Sequence, residues 1–577
     1  MNFKFFNKEK KKKNTDKPSR ISNKMKFGIV AILMIILMSV AMTQVTFQND
    51  TYYSIKIGEH ITKYGVDMKD PFSWHENLPY TYPHWLYDLI IYFIYSFAGF
   101  TGLYVTTCIV SSILGITIYL VNSKLTKNPV ISFVVTMGVM YLLKGYIAAR
   151  AQLVTFILFI ITIFLIEKFL QTKKGGYGIG LIVISLIIAN MHVAVWPFYF
   201  VLYLPYIGEY VISILAEIIF YKKIQIALLK IAIKILSKLE GEEQRIERCK
   251  LKIKKIEGKV SKIKIKREQE LKNPYKLRIT KNNNVKWLIV IMIIAGLVGA
   301  LTPLGDTPYT YLIKTMQGNT TKNINEHSPT TLARETNILC VFVIFLAILI
   351  FSKTKIRLSD LFMLGGLTYL MISSRRQLTV FAIICSVILV RLITELMEAN
   401  YKDSVNKSLK IATTKIGLIL IIAASVLLSY NMGKRKFDDK FVDEYSYPVA
   451  ACDYILESID LEKARFYNEY NYGSYMLFRG IPVFIDSRAD LYSPEFNGRN
   501  DDIFMDFINT SNIGDFYEDT FKKYNITHVI SYKNSKMNMI IEKTQDKNYK
   551  EIYKDKRFVI YERLNNGEDQ NIEDKKE

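Results

Sequence analysis

Cations and carboxylates that interrupt long apolar runs are the side chains of this chain best suited to chemistry. Arg150 opens one such run, and Arg375 with Arg376 opens another. A guanidinium stays protonated near lipid and grips phosphate through paired N–H donors, so each arginine is a candidate phosphate clamp. The plainer reading is an interfacial charge that snorkels to water. Asp50 follows the first apolar run beside Thr51 and reads either as a reactive carboxylate at the membrane surface or as a helix-capping acid. Asp70 precedes Pro71 and reads equally as a second acid or a turn initiator. Glu326, in INEHSP, is a further candidate acid. His84 and Asp88 stand at i, i+4 and suit a metal or a substrate, but spacing fixes no third ligand. His192, in IANMHVAV beside Trp196, reads first as a buried, hydrogen-bonded histidine and second as a substrate or phosphate contact.

These residues need a scaffold, and composition says of which kind. Of 577 residues, 50% are hydrophobic and 22% charged. The apolar residues fall in runs of roughly 15–22, the length that crosses a bilayer core about 30 Å thick. Soluble globular, disordered and fibrous classes are excluded, which leaves an α-helical polytopic membrane protein. The net charge of +23 is concentrated in two segments. Residues 1–26 carry 10 basic and 2 acidic side chains, and residues 221–286 carry 21 and 7, so the remainder is nearly neutral. Basic segments beside spans follow the positive-inside rule and meet anionic lipid, which removes the case for a nucleic-acid partner. Cys108, Cys249, Cys340, Cys385 and Cys452 form neither a disulfide framework nor a CxxC metal site. The first apolar run follows a basic tail without a small-x-small cleavage site and is expected to remain as an anchor.

About eleven spans are expected: 27–43, 102–121, 129–146, 152–168, 177–193, 197–219, 287–303, 338–352, 358–372, 376–396 and 413–431. With the amino terminus inside, the basic loops at Lys124/Lys127, Lys168/Lys173/Lys174, the insert 221–286, Lys353/Lys355/Arg357 and Lys402/Lys407/Lys410 all face inward. The group Lys434, Arg435 and Lys436 is the exception. This threading holds only if 84–99, HWLYDLIIYFIYSFAG, lies on the outer surface, as its one-sided His84, Asp88, Tyr92 and Tyr95 suggest. Every polar cluster in an apolar context then lies outside: the loop 44–83, Arg150 with Gln152, Asn190 with His192, the loop 304–337, and Arg375 with Arg376. Buried ionisable groups that share one side point to a single outward-facing site.

Residues 27–431 thus form the transmembrane domain, with an external loop 44–101 and the insert 221–286, which reads as a solvated or lipid-touching cytoplasmic helical hairpin. Residues 432–577 read as a small extracytoplasmic α/β domain, with strands at ARFYN, IPVFID, THVISY and RFVIYE and helices at 448–459 and 533–544. Within it Asp486, Arg488 and Asp490 suit either an internal ion-paired turn, which is preferred, or sugar binding.

The run NDTYYSIKIGEHITKYGVDMKDPFSW, followed by YPHWLYDLIIYFIYSFAGFTGLYV, resembles the opening of the GT-C glycosyltransferases, which include protein O-mannosyltransferases and aminoarabinose transferases. Asp50 takes the acidic position after the first span, Pro83-His84-Trp85-Leu86 the start of a surface helix, and Phe97-Ala98-Gly99 its end. Thr51 stands where those enzymes often have glutamate, and one proline replaces two. DPFSWHENLPYTYPHWL, IANMH, INEHSP and FIDSRADLY also look like a group of bacterial membrane proteins assigned to this class. The resemblance implies transfer of a sugar from a polyprenyl-phosphate-type lipid to a glycan, lipid or protein acceptor outside the cytoplasm. Asp50 would be the base, Asp70 and Glu326 further acids, and Arg150, Arg375, Arg376, His84 and His192 donor contacts. It leaves room for a divalent cation but fixes none, and implies a multi-pass plasma-membrane protein with its amino terminus inside. Two competing readings are a polyprenyl-lipid flippase or transporter, and a GT-C-fold scaffold without activity. A transporter would place charges at mid-membrane in repeated halves, and no internal repeat is present.

Overall fold

The computed structural model describes residues 22–215, 218–239, 241–270, 277–331, 336–352, 354–434 and 439–564. Most of the basic tail 1–26, parts of the insert, Lys353, Arg435, Lys436 and the chain after residue 564 lie outside these residues. Among the described residues six helices are long and apolar enough to cross a bilayer: Asn23–Met42, Trp85–Thr126, Ala151–Thr172, Val193–Ile214, Arg375–Asn400 and Lys415–Gly433. Five more apolar helices of 10–17 residues stand at the other expected stretches.

Burial separates central from peripheral helices. In Ala151–Thr172 and Arg375–Asn400, 61% of the most apolar window is buried, against 17% in Lys415–Gly433. The first helix, Asn23–Met42, starts where Ser22 accepts a hydrogen bond from the Met25 amide. It buries Phe27, Ala31, Ile35, Met38 and Met42, one face at helical spacing. The opposite face, with Leu33 and Leu37, stays exposed and apolar, as a lipid-facing surface is.

Residues 85–98 and 100–126 form two successive helices separated by a kink at Gly99, whose φ of 59° and ψ of −155° lie outside helical space. A side chain would be strained there, so glycine sets the bend between the two halves. The first half packs beneath the helix Asn49–Tyr64 at Gly58, where an added Cβ would lie 2.2 Å from the Asp88 carbonyl oxygen.

The polar groups do not all gather at one end, contrary to the sequence reading. Glu167, Arg357, Asp360 and Arg391 form a buried charge quartet that joins three helices at the opposite end of the bundle. Arg391 lies 2.5 Å from Asp360, and Tyr206 donates to Glu167 at 3.2 Å. Arg357 was assigned to a basic loop, but its guanidinium folds back onto helix ends. Two cations and two anions neutralise one another there, as burial of charge requires.

In the carboxy-terminal region a four-stranded sheet runs in the order 466–467, 528–532, 558–563, 549–554. Phe466–Tyr467 pairs parallel to His528–Tyr532, and the other pairs are antiparallel. The strand Tyr549–Lys554 was not anticipated, and IPVFID, expected as a strand, is not one. Val483, Phe484 and Ile485 are wholly buried, and their backbone groups find other partners. The Val483 amide donates to the Phe72 carbonyl, and its carbonyl accepts from Trp74. The Asn468 side chain bonds both the Phe484 amide and the Ile485 carbonyl, at 2.8 and 2.7 Å. A side chain thus does the work of a neighbouring strand.

Among the described residues the buried apolar side chains gather in two cores. One lies among the membrane helices. The other joins the external loop, from Phe47 to Leu103, with the carboxy-terminal region from Tyr447 to Tyr561, so that region shares its core with the loop. Tyr52 sits at the junction, edge-on to Tyr447 and Tyr475 at centroid distances of 5.0 and 5.1 Å.

Candidate functional site

Asp50 stands in the first turn of Asn49–Tyr64, where the helix dipole favours a carboxylate. The neighbouring Thr51 hydroxyl donates to the Ala149 carbonyl at 3.2 Å, tying this helix to the chain just before Arg150. Arg150 is the N-cap of Ala151–Thr172. Its guanidinium lies 3.0 Å from Asp50 Oδ2 and 3.2 Å from Glu326 Oε1. Three candidates from distant stretches therefore meet, with one cation between two carboxylates. All three remain partly exposed, Arg150 at 21%, Asp50 at 28% and Glu326 at 51% of the side chain.

Glu326 is carried by a short turn, Asn325–His327, that is stitched to the next candidates. The Arg375 amide donates to the Ser328 carbonyl at 3.0 Å, and Thr330 bonds the carbonyls of Met371 and Ile372. These bonds hold the turn Arg375–Gln377 beside the Glu326 loop. Among the described residues no carboxylate lies within ion-pair distance of Arg376. Its charge instead faces histidines. Burial, then the Arg376 and Arg150 cations, push the His84 imidazole down to about 3, and burial with Arg376 lowers His327. His84 is therefore neutral near pH 7.

His84 packs on His192 with ring centroids 4.9 Å apart, and Thr155 bonds His192 Nδ1 at 3.0 Å. His192 is thus buried and hydrogen-bonded, yet it touches the cluster through His84. His84 and Asp88 share a helix face but not an environment, because Asp88 is wholly buried beneath Gly58. Among the described residues no three His, Cys, Asp or Glu side chains converge as metal ligands.

Asp70 is not brought to this cluster. Its carboxylate lies 2.7 Å from Arg488, with side-chain exposures of 0% and 2%, and Ser73 donates to it at 2.5 Å. Arg488 also pairs with Asp486 at 2.7 Å and covers the rings of Phe72 and Tyr80. Burial raises the Asp70 carboxyl, but Arg488 and Ser73 more than offset it and hold it below the usual range. Asp490 does not join that pair. It accepts from Tyr311 at 2.5 Å and Thr320 at 3.0 Å, locking the Glu326 loop onto the carboxy-terminal region.

Sequence reasoning missed Tyr470. Its carbonyl accepts from the Asn49 side chain at 2.8 Å, its hydroxyl donates to the Ser487 carbonyl, and Asp50 and Glu326 both act on its phenol. The run NEYNYGSYMLFRG suits sugar binding by composition, but nothing local singles out Tyr470, which the shared core brings to Asp50. A cavity between the central helices was also missed. Gln152, Thr155, Arg376 and Gln377 supply its polar lining, and Phe156, Phe159 and Phe198 are among its apolar side chains.

No protein-family model and no curated protein matches the chain. Among solved structures it is similar to an oligosaccharyltransferase from Archaeoglobus fulgidus in its apo form, with a TM-score of 0.52 and 10% identity. The match covers 88% of this chain and 69% of that one. At that identity the likeness is one of fold alone: the chain shares a largely helical, apolar architecture with that enzyme.

Proposed function

We propose that the chain is a membrane glycosyltransferase that moves a sugar from a polyprenyl-phosphate-type lipid to an acceptor outside the cytoplasm. The observation that supports this is the meeting of Asp50, Arg150 and Glu326 near an apolar cavity that Arg376 also lines. In this reading Asp50 accepts the acceptor hydroxyl's proton as its oxygen attacks the anomeric carbon. The bond from that carbon to the phosphate oxygen breaks, and the phosphate leaves with the electron pair, stabilised by Arg150, Arg375 and Arg376.

The ion pairs imply an order of binding. While the pair stands, the guanidinium occupies Asp50 Oδ2, and that oxygen is closed to a substrate hydroxyl. Phosphate competes for the same guanidinium, so donor binding draws Arg150 away from Asp50 and leaves that carboxylate free to take a proton. Glu326 then returns the arginine to its resting pair after product leaves. Asp70, sealed against Arg488, ties the loop to the carboxy-terminal region in this reading. The site faces outward from the plasma membrane, with the amino terminus inside.

The test is a transfer assay with the purified full-length protein in lipid nanodiscs and radiolabelled polyprenyl-phosphate sugars. Label should pass to an envelope acceptor with the wild type and not with Asp50→Asn. Correctly inserted wild-type protein that transfers none of the donors would overturn the proposal.

A further inference from the structure

The insert contains an antiparallel helical pair that packs on itself. The helices Ile218–Leu236 and Glu243–Glu270 face one another along half-buried positions: Ile226, Leu229, Ile233 and Leu236 in the first, and Ile246, Cys249, Ile253, Ile256 and Val260 in the second. Alternating spacings of three and four are those of a two-helix seam. That seam uses only one apolar face of the first helix. Tyr221, Ile224, Leu228, Ile231 and Ile235 recur at the same spacing on another face, and all are exposed, Leu228 at 60% and Ile235 at 59%. Beside this stripe stand the exposed Lys223, Lys230, Lys234 and Lys238. Residues 218–239 contain no Asp or Glu.

We propose that this second apolar face lies on an anionic lipid surface, with its stripe among the acyl chains and its lysines on the headgroups. The inference is independent of the sugar-transfer reading. Three observations carry it. An apolar stripe flanked by lysines is the pattern of a helix that lies in the membrane interface. The charge complements anionic headgroups and repels a second copy of the same face. Both ends of the pair are also tethered at the membrane bundle. Ile218 follows the apolar helix Leu204–Leu215 closely, and on the return Leu277–Arg278 pairs with Ile356–Arg357 at the start of Leu358–Ser373. Tethering of this kind holds the face at high local concentration beside the bilayer.

The experiment uses the full-length protein with its native cysteines replaced, one copy per nanodisc, and an environment-sensitive fluorophore on Leu228→Cys or Ile231→Cys. Ala227→Cys, exposed on the lysine side, is the control. In discs of phosphatidylcholine with phosphatidylglycerol, the probes at 228 and 231 should shift to the blue and be quenched by doxyl-labelled lipid, while the probe at 227 should not. Discs of phosphatidylcholine alone, or high salt, should abolish the difference. Changing Lys223, Lys230, Lys234 and Lys238 together to Gln should lower the docked-to-undocked ratio by roughly two to three orders of magnitude. These lysines are exposed and leave the seam intact, so an unchanged helical circular-dichroism signal separates undocking from unfolding. Probes at 228 and 231 that stay in water in anionic discs would overturn the proposal. So would shielding that ignores lipid charge, or shielding that needs two copies in one disc.

Discussion

At the scale of single residues, the arrangement turns on a cation shared by two acids. Asp50→Asn keeps the shape of the side chain and removes the proton acceptor. Turnover in the transfer assay should fall by roughly two to four orders of magnitude, the usual contribution of a general base, with donor binding kept. Arg150→Ala should instead raise the Michaelis constant for donor. A lost charge-assisted bond of about 1.5–3 kcal/mol corresponds to roughly 10- to 150-fold. Wild-type turnover in Asp50→Asn would move the base elsewhere, with Glu326 next in line. His84 gives a pH prediction of definite sign. Its folded value of about 3 lies below its ordinary 6.5, so the fold holds it neutral. Protonation of the unfolded chain therefore costs stability progressively as pH falls from 6.5 towards 3, and nothing is lost above 6.5. The pH–rate profiles of wild type and His84→Gln should have the same shape between about pH 5 and 8. A limb near pH 6 that disappears in the variant would contradict this.

At the scale of elements, legibility divided along sequence distance. The break at Gly99 was readable, because a glycine closing an aromatic, one-faced segment is a local signal. Asp50 is a candidate through a local motif, and the structure sets it against Arg150. Its pairing with Glu326 through Arg150 was not readable, since 176 residues separate Arg150 from Glu326. The charge quartet was missed for the same reason: Glu167 and Arg357 are 190 residues apart, and each looked like an ordinary helix end. IPVFID misled because its β-branched and aromatic residues are those of a strand, while the Asn468 side chain supplies hydrogen bonds that a neighbouring strand would have. The Asp70–Arg488 tie gives the element-scale prediction. Removing one member of a buried pair costs roughly 3–5 kcal/mol, so Asp70→Leu should expose the carboxy-terminal region to limited proteolysis at temperatures the wild type withstands. The Asp70 carboxyl is depressed below its ordinary 3.8, so its contribution is complete above that value and lost as pH falls through the lowered one. Equal protease resistance in wild type and variant at neutral pH would remove the tie.

At the scale of the whole molecule, the threading makes a labelling prediction. Single cysteines at Lys230 or Lys259 should resist an impermeant maleimide in intact cells, and those at Lys322 or Asn500 should react. All four side chains are exposed, so protection reports the membrane rather than the fold. Reaction at Lys259 would invert the threading and put the Asp50 cluster on the cytoplasmic side. The core shared by the external loop and the carboxy-terminal region has a consequence for the order in which the protein is made. Residues 44–104 emerge early, but the tyrosines and phenylalanines that cover them lie beyond residue 440. At roughly 5–20 residues per second, translation leaves the loop waiting for on the order of half a minute. During that interval Tyr52, Leu78 and Tyr82, which end wholly buried, face water or a holding factor. A chain stopped after Lys415–Gly433 should insert its helices yet leave Asp50 without its frame. Synthesis of the last 140 or so residues is then the step that closes a core begun at the other end of the chain.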